Sequence, residues 1–119
     1  MSDRKISAVT KHLMLTREIL AKPEHWCKGW FILDKNGGYL YYVDDVEAYS
    51  FCLAGALRKA SWSFPADPMN DGVLDQYFKT LKILNNMFPT LNIAEFNDHR
   101  NTTHAKILQF LDEAIAASM

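Results

Sequence analysis

The chain has 119 residues, of which 49% are hydrophobic and 23% are charged, a balance typical of one domain with a buried core. Thirteen basic and fourteen acidic residues leave a formal net charge of −1, which argues against a nucleic-acid partner. No apolar run approaches the roughly 20 residues of a membrane-spanning helix, and the N-terminus lacks the apolar core of a signal peptide. The two cysteines indicate reduced thiols. We therefore expect a single cytoplasmic domain over residues 1–119.

A helix and a β-hairpin are predicted in the first third of the chain. Apolar residues recur on one stripe over residues 6–21, and Pro23 disfavours helical geometry in the residue before it. Residues 30–33 and 39–43 are rich in aromatic and β-branched side chains, and Asn36-Gly37 between them suits a tight turn. The hairpin is apolar on both faces, so either helices or a partner must cover it.

Further helices are predicted from their capping signals. Asp44 and Glu47 form an acidic version of the capping box, which marks the start of a helix over residues 45–61. Asn92 favours a single short turn that reaches Phe96. The sequence thus predicts an α+β fold that combines the hairpin with four helices, at residues 6–21, 45–61, 71–88 and 103–117.

The third of these helices is predicted to start at Asn70 or Asp71 and to stop at Pro89. Residues 61–68 before it are predicted to be a loop, because two prolines prevent a helix from continuing there.

Cys52 is a candidate nucleophile, with His99 or His104 as its base. The predicted cap at Asp44 puts Cys52 about two turns into its helix, where the helix dipole lowers a thiol pKa little. A buried thiol that acts as a small hydrophobe is favoured, with Gly55 allowing another element to approach closely. No catalytic residue is assigned.

Cysteine and histidine also prompt the question of a metal site. The candidate ligands are His25, Cys27, Cys52, His99 and His104. Structural zinc sites use paired ligands such as Cys-x-x-Cys, and this chain has no such pair. The sequence therefore predicts neither a metal nor a cofactor.

Asn97 and Asp98 suit a sharp junction before the last helix, because both residue types bond readily to nearby backbone amides. The same pair beside a pocket would orient a ligand. His99, Arg100 and His104 then lie near the N-terminus of the last helix, where a small anion would bind. The structural role is favoured, and these five residues are the candidate binding site.

Several of these motifs together resemble a small, uncharacterised bacterial and phage family, a domain of unknown function. The resemblance rests on Trp26-Cys-Lys-Gly29, Asp34 with Gly37, Cys52-x-x-Gly-Ala56, Asn97-Asp98, and a last helix that opens at Thr102 or Thr103 and closes with Leu111-Asp-Glu-Ala-Ile115. Phe96 stands where the family pattern has tryptophan. The resemblance implies a bacterial or phage cytoplasmic protein, brings no activity with it, and groups the three junctions as one constellation.

The leading functional hypothesis is a binding or protein-interaction module that uses the apolar hairpin. The predicted interface, with a second copy or another protein, comprises Trp30, Phe31, Leu40, Tyr41 and Tyr42. The alternative is a small hydrolase or transferase in which Cys52 acts with Asn97, Asp98 and a histidine.

Overall fold

Helices and a short antiparallel sheet make up the part of the chain that this computed structural model describes, residues 6–64, 72–88 and 91–119. The α+β class is confirmed. The elements are α1 (Ala8–Ile19), β1 (Ile32–Leu33), β2 (Ser50–Phe51), α2 (Leu53–Ser61), α3 (Gly72–Asn85), α4 (Ile93–Asp98) and α5 (His104–Ser118). A single 3-10 turn, Pro23–His25, follows α1. The predicted start of the third helix at Asn70 or Asp71, Pro89 and residues 65–68 of the preceding loop lie outside the described residues. The helix itself ends at Asn85, before the predicted end at residue 88.

The helices surround one hydrophobic core. Helix α1 packs against α2, α3 and α5, and the short α4 packs against α2 and α3. The large apolar side chains that are fully buried are Leu13, Leu20, Ile32, Leu53, Leu57, Leu84, Ile93, Ile107 and Leu111. Burial of each such side chain contributes about 1.5–3 kcal/mol to folding.

Local capping signals place three helix starts. Ser7, Asn92 and Thr103 each accept a hydrogen bond from the backbone N–H three residues on, at 3.1, 2.9 and 3.3 Å. Such side-chain caps satisfy donors that the first helical turn leaves without partners. The short turn after Asn92 is confirmed as α4, and the last helix begins as predicted.

The second strand of the hairpin is not where the sequence predicts it. The turn after Asp34 returns the chain, and Leu33 makes one antiparallel bridge with Tyr39, but residues 39–43 do not continue as a strand. The sheet partner of β1 is β2, with Ile32 opposite Phe51. This pairing prevails because it buries Ile32, Ser50 and Phe51 together.

The predicted helix over 45–61 is also wrong at its start. Asp44 is not a cap, and α2 begins only at Leu53, with Cys52 as its N-cap. Residues 42–48 form turns instead, in which the Asp45 carboxylate accepts a hydrogen bond from the Glu47 N–H at 2.8 Å. The acidic residues therefore stabilise a turn, and the residues after it extend to form β2.

Gly55 is buried in the first turn of α2, where the chain before β1 crosses closely. A Cβ atom at this position would collide with the backbone carbonyl oxygen of Phe31. That same carbonyl accepts a hydrogen bond from the Cys52 N–H at 3.1 Å. The glycine thus marks a close approach, as expected, and the crossing element is the backbone that leads into β1.

Helix α1 also buries polar side chains, a feature that its apolar stripe does not reveal. His12 is fully buried; its Nε2–H donates to the Leu57 carbonyl at 2.6 Å, and its Nδ1 accepts from the Thr80 hydroxyl at 2.7 Å. Burial lowers the pKa of this imidazole. His12 therefore links α1, α2 and α3 as a neutral ring.

Candidate functional site

Asn97 joins the three junctions that the sequence singles out. Its Oδ1 accepts hydrogen bonds from the Trp26 indole Nε1–H at 2.7 Å and from the Leu53 N–H at 2.9 Å. Its Nδ2 donates to the Cys27 carbonyl at 3.0 Å and to the Asp98 carboxylate at 2.9 Å. We call these five residues the Asn97 network. The Asn97 side chain is fully buried and has partners for both its oxygen and its nitrogen, so it acts as a structural crosslink.

Asp98 extends this crosslink to the segment before β1. The same Oδ1 that Asn97 contacts also accepts from the Gly29 N–H at 2.8 Å. Gly29 has a positive φ of 78°, which glycine adopts without a steric penalty. Lys28 adds a further link, because its Nζ donates to the His99 carbonyl at 2.8 Å. The loop after Trp26 is therefore fastened to the end of α4 at several points.

Both cysteines are free thiols: Cys27 belongs to the Asn97 network through its carbonyl, and Cys52 precedes Leu53 of the network. The Cys52 Sγ accepts a hydrogen bond from the Gly55 N–H at 3.3 Å and so caps α2. Burial raises the pKa of Cys52 and raises the pKa of Cys27 to about 11. A thiol nucleophile needs the opposite shift, because the thiolate is the reactive form.

A cleft of about 180 Å³ brings Cys52, Asn97 and Asp98 into one lining. Its other lining residues are Gly29, Trp30, Phe31, Ala54 and Ala94. No histidine is among these lining residues, so a histidine base for Cys52 stays a prediction. Every buried side-chain nitrogen and oxygen in the described part of the chain has a hydrogen-bond partner, which leaves none aimed into the cleft in need of a ligand.

Among the other predicted binding residues, His104 and His99 each bond to a different backbone group. The His104 Nε2–H donates to the Leu20 carbonyl at 2.6 Å, which fastens α5 to the end of α1. The His99 Nδ1 accepts from the Asn101 N–H at 3.1 Å, and Arg100 is exposed. The anion site proposed for these residues stays a prediction.

The cleft opens beside an exposed group of rings that we call the aromatic surface: Trp30, Phe31, Tyr39, Tyr41 and Tyr42. The Trp30 and Tyr39 rings are stacked, with centroids 5.0 Å apart and an interplanar angle of 3°. Tyr41 meets the edge of Tyr39 at 6.0 Å. Tyr41 is 77% exposed, Tyr42 71%, Tyr39 56% and Trp30 53%. Leu40, which was also predicted to lie in the interface, is half-buried and packs against the core.

The described residues form neither a metal site nor a membrane-spanning helix. No group of three or more His, Cys, Asp or Glu side chains in residues 6–64, 72–88 and 91–119 is arranged to hold a metal ion. Nor does any described helix combine the length and the apolar character that crossing a bilayer requires.

Comparison with known proteins supplies the family. A family model described as "Family of unknown function (DUF6197)" matches residues 5–117. The chain belongs to this family. The predicted resemblance to a family of unknown function is therefore confirmed, and the match runs from before α1 into the last turn of α5. No curated protein and no solved structure matches this DUF6197 chain.

Proposed function

We propose that this DUF6197 protein is an interaction module that binds another protein through the aromatic surface. The observation that carries the proposal is the exposure of these five rings, of which Trp30, Tyr39 and Tyr41 contact one another. Large exposed apolar patches on folded proteins are typical of interfaces, and Trp and Tyr are the residues most enriched among interface hot spots. Both are abundant here, at a place where the fold does not use them for its core.

The Asn97 network lies against one part of the aromatic surface. Trp30 and Phe31 line the cleft together with Asn97 and Asp98, and Asp98 fixes the Gly29 backbone directly before Trp30. A loop held in this way loses little conformational entropy when a partner binds, which favours affinity. The polar junction thus fixes the backbone that carries Trp30.

A different protein fits this surface better than a second copy does. Residues 30–47 contain four carboxylates, Asp34, Asp44, Asp45 and Glu47, and one ammonium, Lys35. A two-fold symmetric dimer would place the same patch on both sides of the interface. Like charges would then face one another, which costs affinity. The proposal is therefore a heterologous partner.

The experiment compares three immobilised proteins in extract of the cells that make this chain: the unmodified protein, Tyr41→Ser/Tyr42→Ser, and Phe78→Ser. Phe78 is a matched control because it is an exposed ring on α3. A protein retained by the first and third is then purified and titrated against all three. The double substitution should weaken its binding at least about tenfold, as loss of two hot-spot rings does. Equal binding to all three proteins would overturn the proposal.

Sedimentation at micromolar concentration tests whether a second copy of the chain binds to this surface. We expect a monomer. A dimer that Tyr41→Ser/Tyr42→Ser dissociates would show that the surface binds a second copy and would contradict the heterologous partner.

Thiol reactivity separates this proposal from a Cys52-dependent enzyme. Because burial raises the Cys52 pKa, we expect iodoacetamide near neutral pH to modify Cys52 far more slowly in the folded protein than in urea. Fast modification of the folded protein would favour the enzyme. The two free thiols also support a cytoplasmic location, where reducing conditions keep cysteines unpaired.

A further inference from the structure

The aromatic surface continues along the chain into exposed carboxylates. Tyr42 is followed by two turns in which Asp44, Val46 and Glu47 are all exposed. Asp45 is half-buried and uses one carboxylate oxygen to hold the Glu47 N–H. Asp44 and Glu47 therefore present exposed carboxylates two and five positions after the exposed Tyr42 ring along the chain.

This combination of negative charge and open rings is local. Residues 30–47 carry four carboxylates against one ammonium, whereas the whole chain is nearly balanced, at −1. Elsewhere in the described chain, rings of the protein do pair with its own cations: Lys28 lies over Trp26 at 5.6 Å and Arg58 over Tyr77 at 5.8 Å. None of the cation–π contacts among the described residues involves a ring of the aromatic surface. The exposed faces of these rings are therefore open to a cation from another molecule.

We infer that the partner presents a basic segment whose arginine side chains lie on the aromatic surface and pair with Asp44 and Glu47. This inference rests on the proposed function and names its partner chemistry. A guanidinium is planar and stacks on an aromatic face while its N–H groups bond to carboxylates beside the ring. Lysine also pairs with rings, as Lys28 does with Trp26, but its compact ammonium lacks the planar face of a guanidinium, so the surface should bind arginine more tightly.

Fluorescence anisotropy with short labelled peptides tests the inference. The probes are repeats of Arg-Gly-Ser, of Lys-Gly-Ser and of Glu-Gly-Ser. The arginine peptide should bind about threefold or more tightly than the lysine peptide, and the glutamate peptide should not bind. Raising the ionic strength from about 0.05 to 0.3 M should weaken binding, because exposed charges are screened.

Charge-neutralising variants locate the binding. Asp44→Asn/Glu47→Gln should weaken the arginine peptide about fivefold, the effect of two exposed ion pairs. The matched control Glu18→Gln/Glu113→Gln removes the same charge from exposed positions on α1 and α5 and should change affinity little. If both double variants weaken binding equally, the peptide senses only net charge and the inference is wrong.

The captured partner distinguishes failure of this inference from failure of the proposed function. Partner binding that is lost in Tyr41→Ser/Tyr42→Ser but unchanged in Asp44→Asn/Glu47→Gln would overturn the basic segment and leave the interaction module standing. Partner binding that neither variant affects would overturn both. Losses in both variants, matched by the arginine peptide, are the expected result.

Discussion

Asn97 and Tyr41 lie in two regions that differ in an unexpected way: the polar side chain is buried and the aromatic one is exposed. A polar amide is fully buried and joined to four neighbours, while a ring that would ordinarily pack in a core is 77% exposed. The first region has its polar groups satisfied internally, and the second leaves apolar area in water. The difference indicates that the Asn97 network holds the fold, and it supports the proposal that the aromatic surface binds a partner.

The largest effect is expected from removing the amide. Asn97→Ala would leave the Trp26 indole, the Leu53 N–H and the Cys27 carbonyl without their partner in a buried site, and should cost about 3–5 kcal/mol of unfolding free energy. Urea denaturation measures it. Asn101→Ala, an exposed asparagine nearby in the chain, is the control and should change stability by less than about 0.5 kcal/mol. Equal, small losses in the two variants would show that the network does not hold the fold.

Gly55→Ala should have the next largest effect. In an exposed helix this change stabilises by up to about 1 kcal/mol, but here the added methyl group meets the Phe31 carbonyl oxygen. The backbone before β1 must move, so we expect a loss of about 1–3 kcal/mol by urea denaturation. A variant more stable than the original protein would contradict the close crossing.

The sequence predicts the elements whose signals are local. Asn92 and Thr103 cap their helices because the side-chain oxygen that accepts and the backbone N–H that donates are only three residues apart. The acidic pair at Asp44 misleads because a turn uses the same residue types. The choice of β2 as the partner of β1 depends on burial of Phe51, which no neighbouring residue reveals.

The sequence identifies the unusual residues of the candidate site, but it does not predict that they bond to one another. The sequence marks Trp26, Cys52 and Asn97 as unusual, and the predicted resemblance groups them as one constellation. The sequence cannot show that the Asn97 side chain accepts a hydrogen bond from the Trp26 indole, 71 positions away. Cysteine is not a preferred N-cap residue, so the cap at Cys52 has no sequence signal. The exposure of Tyr41 and Tyr42 follows from the strand that fails to form over residues 39–43.

A smaller, pH-dependent effect is expected from His12, in the buried region. Burial holds its folded-state pKa below the ordinary 6.5, so between these two values the unfolded chain binds a proton that the folded chain does not. Stability should be highest above about pH 6.5 and should fall as the pH drops from there towards the folded-state pKa. Urea midpoints between about pH 8 and 5 measure this slope. His12→Gln should flatten it, and parallel curves for the two proteins would contradict the buried neutral ring.

The smallest effect is expected at the aromatic surface, and it tests the division between the two regions most directly. The measurement is the unfolding free energy of Tyr41→Ser/Tyr42→Ser in urea. Because both rings are exposed and lie outside the core, the variant should match the original protein within about 0.5 kcal/mol. A loss of about 2 kcal/mol or more would show that these rings hold the fold, and the surface would then no longer be free to serve a partner.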